Sequence, residues 1–380
     1  MTKDTGGMTR RERMLAVVDH RRPDRIPAVL QGRPEVHRAL MAHYRVGSMA
    51  EVHAILGTDG WAGVGVGIDW GDWFARTTGR LDGDFPGANR EYILHDEDTF
   101  ENEWGVIRRV GKDRKYVEWV SGPLEHARDP DEHSLPTVGK LIDDPELPER
   151  VQALKDGDNW VSAGVTQPFK TAWELRGMEN LLVDYLLNPG FVEKLYDRLY
   201  EFNTEILVRC TAAGVDQVSI GGDIAMQDRL IMGPESWRRI DKPRLAAMIG
   251  RCREINPGVH VYIHSDGNLW EIMDDLVEIG FDIIDPIQPE CMDPVEVKRQ
   301  YGDRIVLHGC GSLQQTLPFG TEEEVRQEVI GLIENCGYDG GLVLRESNAI
   351  GFDCPLGNVV AWFETARDYR WKDHAPGIGT

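Results

Sequence analysis

The chain has 380 residues, 41% hydrophobic and 8% aromatic, which is enough for one large α/β domain with insertions or for two domains. Its formal charge of -22 is spread along the sequence, which argues against nucleic acid or an anionic membrane as the partner and favours a small molecule or a protein. No apolar run approaches the ~20 residues of a membrane span, and residues 1–7 lack the apolar stretch of a signal peptide.

The N-terminal part combines helices, two strands and an inserted ribbon. Thr9 and Glu12 form a capping-box pattern, which predicts a helix through His20 within an N-terminal helical extension of residues 1–22. The next predicted elements are a strand over 26–31, a helical stretch over 34–56, a glycine-rich buried strand over 60–67 and an antiparallel ribbon over 90–119. Residues 90–150 are interpreted as a small insertion and surface segment, since their second half is rich in Asp, Glu and Pro.

From residue 160 onward, strands and helices alternate. Strands are predicted over 160–165, 217–221, 259–263, 281–287, 304–307 and 341–344, and helices over 181–213, 234–256, 269–279, 294–301, 322–336 and 356–369. With the two earlier strands this makes eight, which predicts an α/β fold with one (β/α)8 TIM-type barrel domain over residues 1–380; an open doubly wound sheet is the main alternative. Gly63, Gly65 and Gly67 lack GxGxxG spacing, so a dinucleotide fold is not expected.

Polar residues follow every predicted strand, and in a barrel these ends converge on one face. In chain order they are Arg33, Asp69, Gln167, Asp223, His264 with Asp266, Gln288 with Glu290, His308 with Cys310, and Arg345 to Asn348. The segment Val259 to Asn268 is the most informative, because a long apolar strand leads directly to His264 and Asp266. For any single member, a helix cap or turn former is the alternative to a functional role, and for Cys310 it is a buried inert thiol.

Motifs along nearly the whole chain share one resemblance. They are Asp24-Arg-Ile-Pro27, Glu103-Trp-Gly105, Trp173-Glu-Leu-Arg-Gly177, Gly222-Asp223, His264-Ser-Asp-Gly-Asn268, Gly280-Phe-Asp-Ile-Ile-Asp-Pro-Ile-Gln-Pro289, Met292-Asp-Pro294, Tyr301-Gly-Asp-Arg304 and the segment from Leu317 to Arg326. Together they resemble the uroporphyrinogen decarboxylase superfamily, which includes the decarboxylase of haem biosynthesis and the methylcobamide methyltransferases. The resemblance independently implies an eight-stranded barrel.

The sequence departs from the decarboxylase of haem biosynthesis at several motif positions. Arg33 matches the second of that enzyme's two N-terminal arginines, Val29 stands where the first is expected, and Asn348 stands in place of a histidine. Its tyrosine aligns near Trp173 or Glu174, and its essential aspartate corresponds to Asp59 or Asp69. Because a porphyrinogen with many carboxylates needs several cationic side chains, these departures leave decarboxylation of a tetrapyrrole or another carboxylated substrate as the alternative function.

The thiol-directed methyltransferases of the superfamily bind zinc through His-x-Cys and a later Cys. Here the corresponding residues are His264-Ser-Asp266 and Asn348, so the soft thiolate ligands are absent. The resemblance then implies one of two arrangements. Either zinc is held by harder ligands, His264, Asp266 and one of Glu346, Cys310 or Asp223, or His264 and Asp266 act without metal as an acid and a hydrogen-bond anchor.

The resemblance favours a corrinoid-dependent methyltransferase (demethylase), which passes a methyl group from a small methylated substrate to a separate corrinoid protein. His264 and Asp266 are expected to form the acid or metal-binding pair, with Asp223 and Asn348 as further catalytic residues that orient the substrate. The expected substrate contacts are Arg33, Asp69, Trp70, Gln288 and Arg345. Trp61, Trp70 and Trp73 form an aromatic wall or pack in the core. A non-catalytic subunit that binds the corrinoid protein is a third hypothesis.

The cysteines suggest a reducing compartment. All six lie outside CxxC pairs, so we expect free thiols and a cytoplasmic location. Family resemblance suggests a monomer or a homodimer.

Overall fold

The computed structural model describes residues 7–371. Residues 1–6 of the predicted N-terminal extension and residues 372–380 of the predicted single domain lie outside the described part. The strands in chain order are β1 Trp61–Val64, β2 Gly79–Leu81, β3 Arg90–Leu94, β4 Thr99–Glu101, β5 Ile107–Val110, β6 Val117–Ser121, β7 Trp160–Thr166, β8 Gln217–Gly221, β9 His260–His264, β10 Ile283–Asp285, β11 Val306–His308 and β12 Leu342–Val343.

The α-helices are α1 Arg10–Val18, α2 Pro34–Tyr44, α3 Met49–Leu56, α4 Trp73–Arg76, α5 Leu147–Asp156, α6 Pro168–Arg176, α7 Met178–Leu187, α8 Pro189–Ala212, α9 Pro234–Ile255, α10 Met273–Ile279, α11 Pro294–Tyr301, α12 Thr316–Phe319, α13 Glu322–Cys336 and α14 Leu356–Asp368. Short 3-10 helices span Pro130–Glu132, Val138–Lys140 and Trp270–Ile272. Within the described residues, every helix is too short or too polar to cross a bilayer.

A curled parallel sheet of seven strands forms the centre of the molecule, in the order β1-β7-β8-β9-β10-β11-β12. Helices follow most of these strands, as right-handed parallel crossovers require. The predicted alternation over residues 160–369 is confirmed. In register, Gly221 of β8 lies beside His264 of β9, which lies beside Asp285 of β10. The carboxyl ends of these three strands are therefore neighbours.

The predicted first strand, residues 26–31, is present as a bridged segment and not as a regular strand. Single parallel bridges join Ala28 to Leu344 and Gly32 to Ile350, beyond the end of β12. On its other side, the Ala28 carbonyl accepts a hydrogen bond of 2.7 Å from the Asp59 amide, just before β1. Pro27 has no N–H to donate, which helps explain the broken ladder. The segment thus lies between the two edges of the parallel sheet.

Two long predicted helices are each divided in two. The stretch predicted over 34–56 breaks because Arg45 adopts a left-handed conformation (φ 56°) at the end of α2, and Ser48 then caps α3. The helix predicted over 181–213 breaks at Asn188, where Pro189 begins α8. Neither break disturbs the order of the strands.

The insertion is a separate five-stranded antiparallel sheet in the order β2-β3-β4-β5-β6. It begins at Gly79, earlier than the predicted ribbon, because β2 pairs with β3. A small core of its own contains Leu81, Phe85, Tyr92, Phe100 and Val110. The sheet therefore has an apolar core separate from that of the parallel strands.

Helix α1 packs across one end of the parallel sheet. The capping box of Thr9 and Glu12 is confirmed, and Met14 and Val17 pack with Trp160 and Tyr262. Buried Asp59 fixes the neighbouring loops: it accepts hydrogen bonds from Arg13 (2.6 Å), Arg25 (2.7 Å) and the Ala28 amide (3.1 Å). These contacts give Asp59 a structural role at the start of β1.

Candidate active site

Strand β9 ends at His264, whose imidazole has two different environments. Its Nδ1 lies 2.5 Å from Asp285 Oδ2. Its Nε2 lies 4.0 Å from Asp223 Oδ1 and 3.9 Å from Asp266 Oδ1. One nitrogen is thus held by a buried carboxylate, and the other is directed at two partly exposed ones.

Asp285 is the buried anion that organises this part of the sheet. It is fully buried and accepts hydrogen bonds from His264 Nδ1 and His308 Nδ1, both at 2.5 Å. Arg345 Nη1 donates to both carboxylate oxygens, at 2.7 and 2.8 Å. Burial alone would raise the pKa of Asp285, but Arg345 and the two histidines outweigh it and hold that pKa well below its usual value.

The role of Asp285 was not anticipated from the sequence. The strand predicted over 281–287 runs through it, whereas β10 ends at Asp285 itself. The sequence does contain a signal for this role. Asp285 lies between Ile284 and Pro286 in an apolar strand, and a carboxylate that is buried there requires cationic or hydrogen-bonding partners. His308, noted at the end of the seventh predicted strand, is one of those partners.

Four predicted catalytic residues come together at the open end of β8 and β9. The Asp266 amide donates to Asp223 Oδ1 at 3.0 Å, and Asn348 Nδ2 donates to Asp266 Oδ2 at 2.7 Å. Together with His264, these residues form what we call the mouth cluster: Asp223, His264, Asp266 and Asn348. Residues from three separate strand ends meet in it.

The loop after β9 is held rigidly beneath the cluster. The Ser265 amide donates to the Asp285 carbonyl at 2.8 Å, and its Oγ accepts from the Ile224 amide at 3.0 Å. Gly267 has φ 95°, and a Cβ there would lie 2.5 Å from the Met226 carbonyl oxygen. A side chain is excluded at this position, which explains the glycine that follows Asp266 in the sequence.

The charges of the cluster favour a cation at its centre. Burial lowers the pKa of His264, but the hydrogen bond to Asp285 and the charges of Asp285, Asp266 and Asp223 outweigh it, so the pKa is raised. The pKa of Asp266 is raised by burial and by Asp223, against the opposing effects of His264 and Asn348. An imidazolium or a bound metal cation would relieve the repulsion between the two carboxylates.

The donor set of the mouth cluster fits a metal ion. Asp223, His264 and Asp266 each offer one ligand atom, and these atoms lie within 4.8 Å of one another. Asp266 Oδ1 is buried and accepts no hydrogen bond from the described residues. Two carboxylate oxygens and one imidazole nitrogen are ligand types that zinc accepts, and three protein ligands leave a fourth position for a substrate atom.

Two tentative metal ligands lie elsewhere. Arg345 points to Asp285, whereas the next residue, Glu346, is wholly buried, and its charge interacts with that of Glu328 on α13. Cys310 is buried, and both burial and the charge of Cys336 of α13 raise its pKa well above the usual value. Among the described residues, the group of possible ligands joins His264 and Asp266 to Asp223 and does not include Glu346 or Cys310. A metal-binding role for Glu346 or Cys310 stays a prediction.

The predicted anion anchors differ in their availability. Arg345 is 3% exposed, and its guanidinium is already paired with Asp285; its assignment as an anchor for an anionic substrate stays a prediction. Arg33 remains partly exposed; its guanidinium donates to the Lys115 carbonyl at 3.1 Å and lies 5.3 Å from the centre of the Tyr116 ring. Gln288 is buried, and its Oε1 accepts from the Gly267 amide at 3.2 Å, which supports the loop below the cluster.

The remaining predicted substrate contacts lie in different places. Asp69 is exposed, and its carboxylate accepts from the Gly71 amide at 2.8 Å and from Lys140 at 3.1 Å. The three tryptophans do not form one wall. Trp61 stacks on His308 at 5.4 Å, Trp70 packs edge-to-face with Trp104 at 5.4 Å, and Trp73 is buried beside Phe74.

The chain is similar to known proteins in sequence and in fold. Residues 124–369 match the family model described as uroporphyrinogen decarboxylase (URO-D). The fold is similar to a methyltransferase from Methanosarcina mazei, with 18% sequence identity, a TM-score of 0.64, and coverage of 95% of this chain and 99% of that one. A catalytic domain of GH53 from Ignisphaera aggregans gives 12% identity and a TM-score of 0.31, over 89% of this chain and 99% of that one. A search of curated proteins gives no match.

Proposed function

Because the chain belongs to the uroporphyrinogen decarboxylase family, we propose that it is a corrinoid-dependent methyltransferase (demethylase). It takes a methyl group from a small methylated substrate and transfers it to the cobalt of a separate corrinoid protein. In this proposal residues 26–32 close the curled sheet into the (β/α)8 barrel, and the substrate enters at the carboxyl ends of the strands, where such barrels place their sites. A cytoplasmic location and a monomeric or dimeric state remain predictions.

The observation that carries the proposal is the mouth cluster, in which His264 Nε2 faces Asp223 at 4.0 Å and Asp266 at 3.9 Å. A methyl group moves from a heteroatom more readily when that atom is protonated or polarised as it departs. In this proposal His264, whose pKa is raised, is the proton donor. The similarity of the fold to a protein described as a methyltransferase also supports the proposal.

The proposed reaction is one displacement. The cobalt of the corrinoid, carried by the partner, supplies the electron pair for the new bond to carbon, and the departing heteroatom keeps the pair of the broken bond. His264 Nε2 gives that heteroatom a proton, and Asn348, fixed by its 2.7 Å bond to Asp266, orients the substrate. If zinc is held by Asp223, His264 and Asp266, it supplies Lewis-acid polarisation of the heteroatom in place of the proton.

Decarboxylation of a tetrapyrrole is the alternative within the family. A polycarboxylate needs unpaired cations at the mouth of the barrel. Here Arg345 is neutralised by Asp285, and the mouth cluster itself brings two carboxylates. The charge distribution therefore favours methyl transfer over binding of a polyanion. A non-catalytic binding subunit is the third hypothesis, and an inactive but corrinoid-binding protein would support it.

We expect the wild-type protein to methylate free cob(I)alamin, used as a probe of the partner's cofactor, from at least one of methanol, a methoxylated benzoate or trimethylamine. The measurement is the spectral conversion of cob(I)alamin to methylcobalamin. His264→Ala should lower the rate by about 100-fold or more, as expected for loss of a general acid or metal ligand. Release of carbon dioxide from uroporphyrinogen, without methyl transfer from any donor, would contradict the proposal and support the alternative.

We also expect about one zinc ion per chain, measured by elemental analysis after loading and gel filtration. His264→Ala and Asp266→Ala should lose the ion, whereas Cys310→Ala and Glu346→Gln should keep it, because these two residues lie outside the possible ligand group. Zinc that survives both cluster substitutions but is lost in Cys310→Ala would contradict this ligand set. A protein that takes up no zinc would leave acid chemistry by His264 as the remaining mechanism.

A further inference from the structure

A cavity lies where the antiparallel insertion meets the parallel sheet. Its volume is about 390 Å³, and its walls come from the loop after β1, from the insertion, from the end of β7 and from helices α6 and α8. Pockets of this size are typical for small organic ligands. Neither His264 nor any other member of the mouth cluster is among the described residues that line it.

Three aromatic rings form one side of the cavity. Trp70 and Trp104 are 5.4 Å apart with their planes inclined by 69°, and Trp104 and Phe202 are 6.3 Å apart at 84°. Each ring is close to perpendicular to the next, so the ring faces and edges form a corner and not a flat stack. Such a corner suits an apolar body and attracts a cation through the ring faces.

Among the charged residues that line the cavity, one carboxylate oxygen has no hydrogen-bond donor within the described part of the chain. Glu174 is paired twice, with Arg108 and with Lys170 at 3.4 Å. Among the described residues, Glu103 accepts a hydrogen bond only from Arg90, whose guanidinium lies 3.0 Å from Oε1. Its Oε2 is buried, and no hydrogen-bond donor among the described residues reaches it. A buried carboxylate oxygen without a donor is unfavourable, and a ligand with an N–H group would relieve this.

The ion pairs of Glu174 and Glu103 also indicate which charge a ligand of the cavity should carry. Glu174 already has two cationic partners, whereas Glu103 has one, so a cation with an N–H group would find its acceptor in Glu103 without breaking an existing pair. We therefore propose that this cavity binds a protonated amine with an apolar or aromatic body, its N–H donating to Glu103 and its body lying against Trp70, Trp104 and Phe202. The cavity goes beyond the proposed function, because the mouth cluster does not line it and nothing in it requires a transferable methyl group.

The test uses 2-phenylethylamine as the probe and isothermal titration calorimetry of the full-length protein at neutral pH, with indole fluorescence as a second signal. Two relatives of the probe separate its features: 2-phenylethanol has no charge, and N,N,N-trimethyl-2-phenylethylammonium has a charge but no N–H. The amine should bind at least about tenfold more tightly than either relative, since charge-assisted hydrogen bonds are the stronger kind. Equal affinity for the trimethyl compound or for the alcohol would overturn the proposal.

Variants then locate the site. Glu103→Gln should weaken binding of 2-phenylethylamine by about tenfold, and Trp70→Leu by several-fold. Glu118→Gln is the matched control, because Glu118 is an exposed glutamate on β6 of the same sheet. This variant should bind 2-phenylethylamine with the same affinity as the wild type. Unchanged binding in both Glu103→Gln and Trp70→Leu would overturn the assignment of this cavity. The ligand comparison on the wild-type protein decides the matter even if a variant fails to fold.

Discussion

Asp285→Ala should destabilise the protein by about 3–5 kcal/mol, because it leaves the buried Arg345 guanidinium without its counter-ion. It should also abolish methyl transfer, since His264 loses the 2.5 Å contact that fixes its Nδ1 and directs Nε2 at Asp223 and Asp266. Chemical unfolding and the cob(I)alamin assay measure the two effects. Asp285→Asn, which keeps the shape and one acceptor oxygen, should be intermediate in stability.

Two controls separate folding from positioning. Asp84→Ala removes the partner of Arg38 from an ion pair in which both side chains are exposed, and should leave the free energy of unfolding nearly unchanged. The double variant Asp285→Ala with Arg345→Met removes the buried charge as well as its counter-ion, so much of the lost stability should return. Activity should not return with it. Recovery of both properties would show that Asp285 has no role in placing His264.

Glu346→Gln should stabilise the protein, by an amount that grows with pH. Burial, with a smaller contribution from Glu328, raises the pKa of Glu346 from 4.5 to about 8. Between these values the unfolded chain releases its proton while the folded chain keeps it, so the wild type loses stability as pH rises. At pH 7 the wild type should have lost about 3 kcal/mol of unfolding free energy relative to the variant. This follows because pH 7 lies roughly two and a half pH units above 4.5, the ordinary pKa of a glutamate, and below the raised pKa in the folded chain.

The measurement is urea unfolding of the wild type and of Glu346→Gln at pH 5 and pH 8. The variant should be close to the wild type at pH 5 and clearly more stable at pH 8. Glu193→Gln, at an exposed position of α8, is the matched control and should follow the wild type at both pH values. A pH-independent difference between Glu346→Gln and the wild type would refute the raised pKa.

The regular half of the fold could be predicted because its signals are local. Apolar runs mark β7 to β11, and caps such as Asp293 mark the helices between them. The first strand, by contrast, depends on how residues far apart in the chain meet: Ala28 bridges Leu344. No pattern within residues 26–31 could show that pairing there is limited to single bridges.

The candidate site could be predicted only in part, because it too depends on contacts between residues that are far apart in the chain. His264, Asp266, Asp223 and Asn348 lie at strand ends, and topology brings such residues together. The direction in which a side chain points after its strand has ended cannot be predicted from the sequence in this way. Arg345 and Glu346 are adjacent, yet one meets Asp285 and the other is buried near Glu328. Asp285 itself was missed because its three partners, His264, His308 and Arg345, are distant in the chain and cannot be identified from the residues around it.

Asp285 also joins elements that are separate in the chain. It lies on β10 and holds His264 of β9, His308 of β11 and Arg345, which follows β12. Opening any one of these strands would break a contact to the same carboxylate, so this side of the sheet should behave as one cooperative unit with uniformly slow amide exchange. Asp285 does not reach the other edge of the sheet, where Gly63 of β1 and Gly164 of β7 are exposed. Local opening of the parallel sheet is therefore expected on the side of the insertion, away from Asp285 and the mouth cluster.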